Sequence, residues 1–83
     1  MRTVIYTPSA AKDLEAVPEP WRTAVEAGID LYAMTGRGNV KVLGGRSGSR
    51  LRVGSYRVLF DEDQTTILAV YVGMRKTTTY RKR

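Results

Sequence analysis

The chain has 83 residues, 42% hydrophobic and 27% charged, a composition that suits one small globular domain with a single core. It contains neither cysteine nor histidine, which excludes disulfides, thiol nucleophiles, imidazole acid–base chemistry and most zinc sites, so neither a cofactor nor a metal is expected. The net charge of +6 is uneven: residues 1–36 hold three cations against five anions, and residues 37–83 hold eleven cations against three anions, Asp61, Glu62 and Asp63.

No apolar run approaches the length of a membrane span, and Met1–Tyr6 is too short for a signal peptide. The expectation is therefore a cytoplasmic domain over residues 1–83 with no membrane contact. Arg2–Thr7 alternates weakly and is rich in β-formers, which predicts a first strand closed by Pro8. Ser9 is placed to cap a short helix over Ala10–Val17, ended by the prolines at 18 and 20. A second helix begins at Glu19 or Pro20 and runs to about Met34, with Trp21, Val25 and Ile29, or Ala24, Gly28, Leu31 and Tyr32, recurring at helical spacing. Trp21 and Tyr32 read as core anchors of this helical hairpin.

Thr35–Asn39 breaks the helix, and Val40–Leu43 reads as a short extended entry to a sheet. The glycine-rich Gly44–Ser49 lacks the lysine and hydroxyl ending of a P-loop and does not lead into a helix, so it reads as a connector. Next comes the segment of highest information, Arg50–Phe60. A two-residue Gly54-Ser55 turn would pair Val53 with Tyr56, Arg52 with Arg57, Leu51 with Val58 and Arg50 with Leu59. Leu51, Val53, Tyr56, Val58 and Phe60 then share one face, and Arg50, Arg52 and Arg57 share the other. Like charges directly across a strand pair are destabilising, so Arg52 opposite Arg57 is either tolerated by solvent or kept to hold something negative, and the second account is favoured. Asp61–Thr65 reads as a solvated turn, because the ligand spacing of a calcium loop is missing. Thr66–Gly73 is the last strand. If Val58 pairs with Leu68, then Leu68, Val70 and Val72 face the core, and Ile67, Ala69, Tyr71, Gly73 and Arg75 lie on the arginine face. A polar, basic tail follows from about residue 76.

A strand, two helices and an antiparallel meander with a cationic face resemble the RelE/ParE toxin superfamily of bacterial toxin–antitoxin systems. The resemblance is carried chiefly by Arg50–Phe60 and by Val72-Gly73-Met74-Arg75 with Tyr80, and more loosely by Lys12, Leu14, Lys41, Leu43 and Gly44. The fold it implies is α+β: an N-terminal strand, a two-helix hairpin and an antiparallel three-stranded meander. It implies a ribosome-dependent mRNA endoribonuclease of the RelE-like branch, working without metal by attack of the RNA 2′-hydroxyl on its 3′-phosphate. The alternatives are a ParE-like DNA gyrase poison and an inactive homologue that binds antitoxin only. Arg57, Arg75 and Tyr80 are its implied catalytic residues. Arg57 and Arg75 would hold the scissile phosphate, and Tyr80 would stack on a base or move a proton. Arg50, Arg52, Lys41, Arg46, Lys76 and Arg81 are its implied RNA contacts. The general base stays unassigned, since arginine at positions 50 and 52 cannot readily accept a proton. The implied partners are the ribosome with its messenger RNA and an acidic or amphipathic segment of a cognate antitoxin.

Overall fold

A computed structural model describes residues 1–43 and 48–74. Along the chain come β1 (Thr3–Tyr6), α1 (Pro8–Glu15), α2 (Trp21–Thr35), β2 (Asn39–Val42), β3 (Ser49–Val53), β4 (Tyr56–Glu62) and β5 (Thr66–Met74). The strands form one sheet in the order β1-β5-β4-β3-β2, in which β1 runs parallel to β5 and every other pair is antiparallel. No helix among the described residues is long and apolar enough to cross a membrane.

This architecture corrects the expected three-stranded meander behind a helical hairpin. Among the described residues the sheet is mixed and has five strands. Val40–Leu43 is more than an entry segment, because Asn39–Val42 pairs along its length with Arg52–Ser49. The first strand adds to the far side of β5, with Thr3 opposite Thr66 and Tyr6 opposite Ala69. Parallel neighbours need a crossover, which the two helices and the intervening strands supply. Each helix is anchored to the sheet: α1 lies against β5 and β1, and α2 against β3, β4 and β1.

The helix ends follow local chemistry. Pro8 occupies the first turn of α1, where its missing N–H costs nothing, and Thr7 rather than Ser9 is the cap, its Oγ1 accepting from the Ala10 N–H at 3.1 Å. The carboxylate of Glu19 does the corresponding work for α2, accepting from the Thr23 N–H at 3.1 Å and from its hydroxyl at 2.8 Å. Gly36 ends α2 at φ 77°, a conformation that favours glycine.

The core lies between the helices and one face of the sheet. Val25, Ile29, Leu51, Val58, Phe60 and Ile67 are its largest fully buried side chains. Tyr32 packs against it, its ring 5.4 Å from that of Phe60, and its hydroxyl donates to Glu62. Trp21 departs from the expected anchor role. It is 46% exposed and lies beside the hairpin turn at Gly54.

The register of β5 also differs from expectation. Val58 pairs with Val72, and Leu59 and Phe60 oppose Tyr71 and Ala69, leaving Val70 as the extra residue of a bulge. Ile67, Ala69 and Val72 therefore face the core. Beyond Ala69 the strand has no β1 beside it, and the side chain of Asp13 on α1 takes the Val72 N–H at 3.2 Å. Replacement of Asp13 by alanine leaves that part-buried donor without a partner and is expected to cost about 1–3 kcal/mol, read as a lower urea midpoint with an unchanged slope.

Candidate anion-binding face

The hairpin forms with the register that its alternation requires. Val53 pairs with Tyr56, Arg52 with Arg57, Leu51 with Val58 and Arg50 with Leu59. Gly54 adopts φ 59° while Ser55 does not enter positive φ, as a type II′ turn demands. Because residues opposite one another share a face, two rows run across the side of the sheet away from the core, which neither α1 nor α2 covers. One is Asn39, Arg52, Arg57 and Gly73, and the other is Lys41, Arg50, Leu59 and Tyr71. Neither row holds a carboxylate.

Arg50, Arg52 and Arg57 are half-buried. The Nε atom of each is screened from solvent and has no hydrogen-bond partner among the described residues. Three guanidinium groups thus lie along the sheet with no carboxylate paired to them among the described residues, a surface whose charge suits an oxyanion. The two ion pairs among the described residues, Arg2–Glu62 and Arg22–Glu19, involve none of them.

Tyr71 and Gly73 lie on this face, as the alternation of the last strand predicts, but Tyr71 was not among the implied site residues. Its phenol end lies over Gly73, where any Cβ would collide with its hydroxyl and ring. Gly73 is in turn directly opposite Arg57. The absent side chain at 73 therefore seats a tyrosine hydroxyl next to the paired arginines. The available signal was the spacing of Tyr71 and Gly73, two residues apart on one strand face. Gly73→Ala is expected to displace the phenol with little loss of stability, below about 1.5 kcal/mol, since only the far end of a side chain must move. A shift in tyrosine fluorescence with a nearly constant melting temperature checks this.

The opposite end of the same side is acidic. Ile5, Leu68, Thr66 and Asp61–Asp63 line a shallow depression of about 350 Å³. Asp63 is held by its own turn. Its Oδ1 accepts from the N–H groups of Thr65 and Thr66, both at 2.8 Å, and these bonds keep its pKa below the usual carboxylate value. Asp61 and Glu62 belong to β4, opposite Leu68 and Ile67, so the turn expected over Asp61–Thr65 narrows to Asp63–Thr65, which Asp63 caps.

Of the residues implied as a site, the structure brings together Arg50, Arg52, Arg57 and Lys41. Arg46, Arg75, Lys76, Tyr80 and Arg81 lie outside the described residues.

No protein-family model matches the sequence, and no curated protein matches it. Solved structures do. The chain is similar to a chain of the toxin–antitoxin complex RelBE2 from Mycobacterium tuberculosis, with a TM-score of 0.75 and 28% identity over 89% of this chain and 98% of that one. The RelB–RelE antitoxin–toxin complex from Methanococcus jannaschii gives a TM-score of 0.71 over 90% of this chain and 94% of that one, at 24% identity, and this second likeness is one of fold.

These likenesses correct the reading drawn from the resemblance. They are to assemblies in which antitoxin and toxin stand together, and they do not place this chain on the toxin side. The identification as a RelE/ParE toxin is withdrawn. The mRNA endoribonuclease, the gyrase poison and the inactive antitoxin-binding homologue are withdrawn with it, as are the ribosome and messenger RNA as partners. The physical reason is that a basic hairpin on a small sheet reports a fold, and a fold does not carry one activity.

Proposed function

We propose that the chain acts by binding, as one member of a two-protein toxin–antitoxin complex of the RelB–RelE kind, and that the arginine face is the surface it offers to the other member. The likeness to the RelBE2 complex over 89% of the chain carries this reading. The arginine face adds the chemistry. Among the described residues Arg50, Arg52 and Arg57 have no carboxylate partner, and the two rows around them contain no acid. Such a surface fits carboxylates of a partner protein, and complementary charge of this sort steers association and fixes its register. The reading places the pair in the cytoplasm and assigns Arg50, Arg52, Arg57 and Lys41 to partner contact.

Co-expression with the protein encoded by the adjoining reading frame tests it. An affinity tag on this chain is expected to retain that protein through size-exclusion chromatography, with weaker retention as salt is raised. Failure to co-purify at low salt would remove the reading. Expressing each chain by itself then identifies which of the two arrests growth and which relieves the arrest.

A further inference from the structure

The arginine face ends at β2, and among the described residues no strand pairs with its outer edge. The backbone pattern identifies which groups point outward. Leu43 donates its N–H to the Gly48 carbonyl at 2.8 Å, and Val42, Lys41, Val40 and Asn39 then pair in turn with Ser49, Arg50, Leu51 and Arg52. Hydrogen-bonded and non-hydrogen-bonded pairs alternate along an antiparallel ladder. Lys41 and Asn39 therefore bond to β3, while Val40 and Val42 turn their backbone groups away from it. The Val40 N–H confirms the alternation by bonding back to the Gly38 carbonyl at 3.0 Å. The N–H and carbonyl of Val42 and the carbonyl of Val40 are left facing outward.

The side chains along this edge are unusually apolar for an edge strand. Val42 is 73% exposed and Leu43 38% exposed. Edge strands are ordinarily protected by proline, a bulge or charge, and here the protection is a single lysine, Lys41. Lys41 sits on the arginine face directly opposite Arg50. A second copy of this strand paired antiparallel about Lys41 would set lysine against lysine, which is unfavourable. The chemistry that suits the edge is a different strand, bearing carboxylates on the side of Lys41 and Arg50 and apolar side chains on the side of Val42.

We propose that β2 receives an extended segment of the partner protein by strand addition, acidic on one face and apolar on the other, so that the sheet gains a sixth strand and the arginine rows continue into the interface. This inference rests on the partner-binding reading above. It adds the mode of binding: outward backbone groups of Val42 and Val40 supply the hydrogen bonds, and Lys41 selects the sign of the partner's charge.

The test uses the full chain with the protein encoded by the adjoining reading frame. Val42→Pro removes the outward N–H and leaves the bonds to β3 in place, because proline is tolerated on an edge strand where its nitrogen faces away from the ladder. Val42→Thr keeps both the N–H and the β-branched shape. The expected result is that wild type and Val42→Thr bind alike, and that Val42→Pro binds at least about tenfold more weakly with an unchanged circular dichroism spectrum. Lys41→Glu is expected to weaken binding as well. Hydrogen exchange on the wild-type complex gives a readout that needs no variant: the Val42 amide, fast in the free chain, becomes protected when the partner is bound. Equal affinity of Val42→Pro and wild type, or a Val42 amide that exchanges equally fast free and bound, would overturn strand addition while leaving the partner reading intact. If the wild-type chain captures nothing, the partner reading fails and strand addition fails with it.

Discussion

Arg57→Glu is expected to yield a protein that is slightly more stable than wild type and no longer holds its partner. Arg57 lies directly across from Arg52, and like charges in that position repel. The substitution turns the repulsion into attraction, so the fold should gain roughly 0.2–1 kcal/mol, the usual range for a favourable cross-strand pair. Binding moves the other way. Removing one charge of a desolvated interfacial pair costs about 2–5 kcal/mol, and a reversal adds repulsion to that loss, so affinity should fall by roughly thirtyfold or more. Thermal unfolding of the free chain and calorimetry with the partner measure the two effects separately. A variant that is less stable and binds normally would show that the paired arginines serve the fold. The opposite signs expected here separate a site from a structural feature, because a residue that merely supports the sheet lowers stability and affinity together.

Phe60→Ala is expected to destabilise the chain by about 3–5 kcal/mol, the range for deleting a buried aromatic ring. Phe60 is fully buried in β4 next to the bulge, and its ring lies 5.4 Å from that of Tyr32, the residue that ties α2 to Glu62. The cavity would therefore open at the junction of helix and sheet. Domains of this size have total stabilities of roughly 5–15 kcal/mol, so the loss is a large fraction of the whole. In a melting experiment it should appear as a fall of about 12 °C or more. Phe60→Leu, which keeps most of the volume, should cost clearly less. A loss below about 1 kcal/mol in the alanine variant would place the centre of the core elsewhere.

Much of the candidate site was legible in the amino-acid order, for a local reason. A strand alternates with period two, and a Gly-Ser turn specifies which residues meet across it, so the pairing of Arg52 with Arg57 and the separation of Leu51, Val58 and Phe60 from the arginines follow from Arg50–Phe60. The second helix was legible in the same way, from its apolar spacing and from the glycine at 36 that ends it. The seat of Tyr71 over Gly73 was not, although both lie on one strand, because it depends on which way a phenol folds once the sheet has formed.

The partner of each strand across long separations was decided by the tertiary structure. Four residues at Thr3–Tyr6 carry no mark of parallel pairing with β5, and four at Asn39–Val42 carry too short an alternation to be read as a full member of the sheet. The bulge at Val70 reversed the facing expected for Ile67, Leu68 and Ala69, since one extra residue exchanges the two sides of a strand. Asp13 found its role only because α1 was laid beside the part of β5 that β1 does not reach. The hairpin, its two faces and the positive charge on one of them follow from neighbours close along the chain. Sheet order, the place of β2 at one edge and the gathering of Lys41 beside the three arginines depend instead on how distant segments share one core.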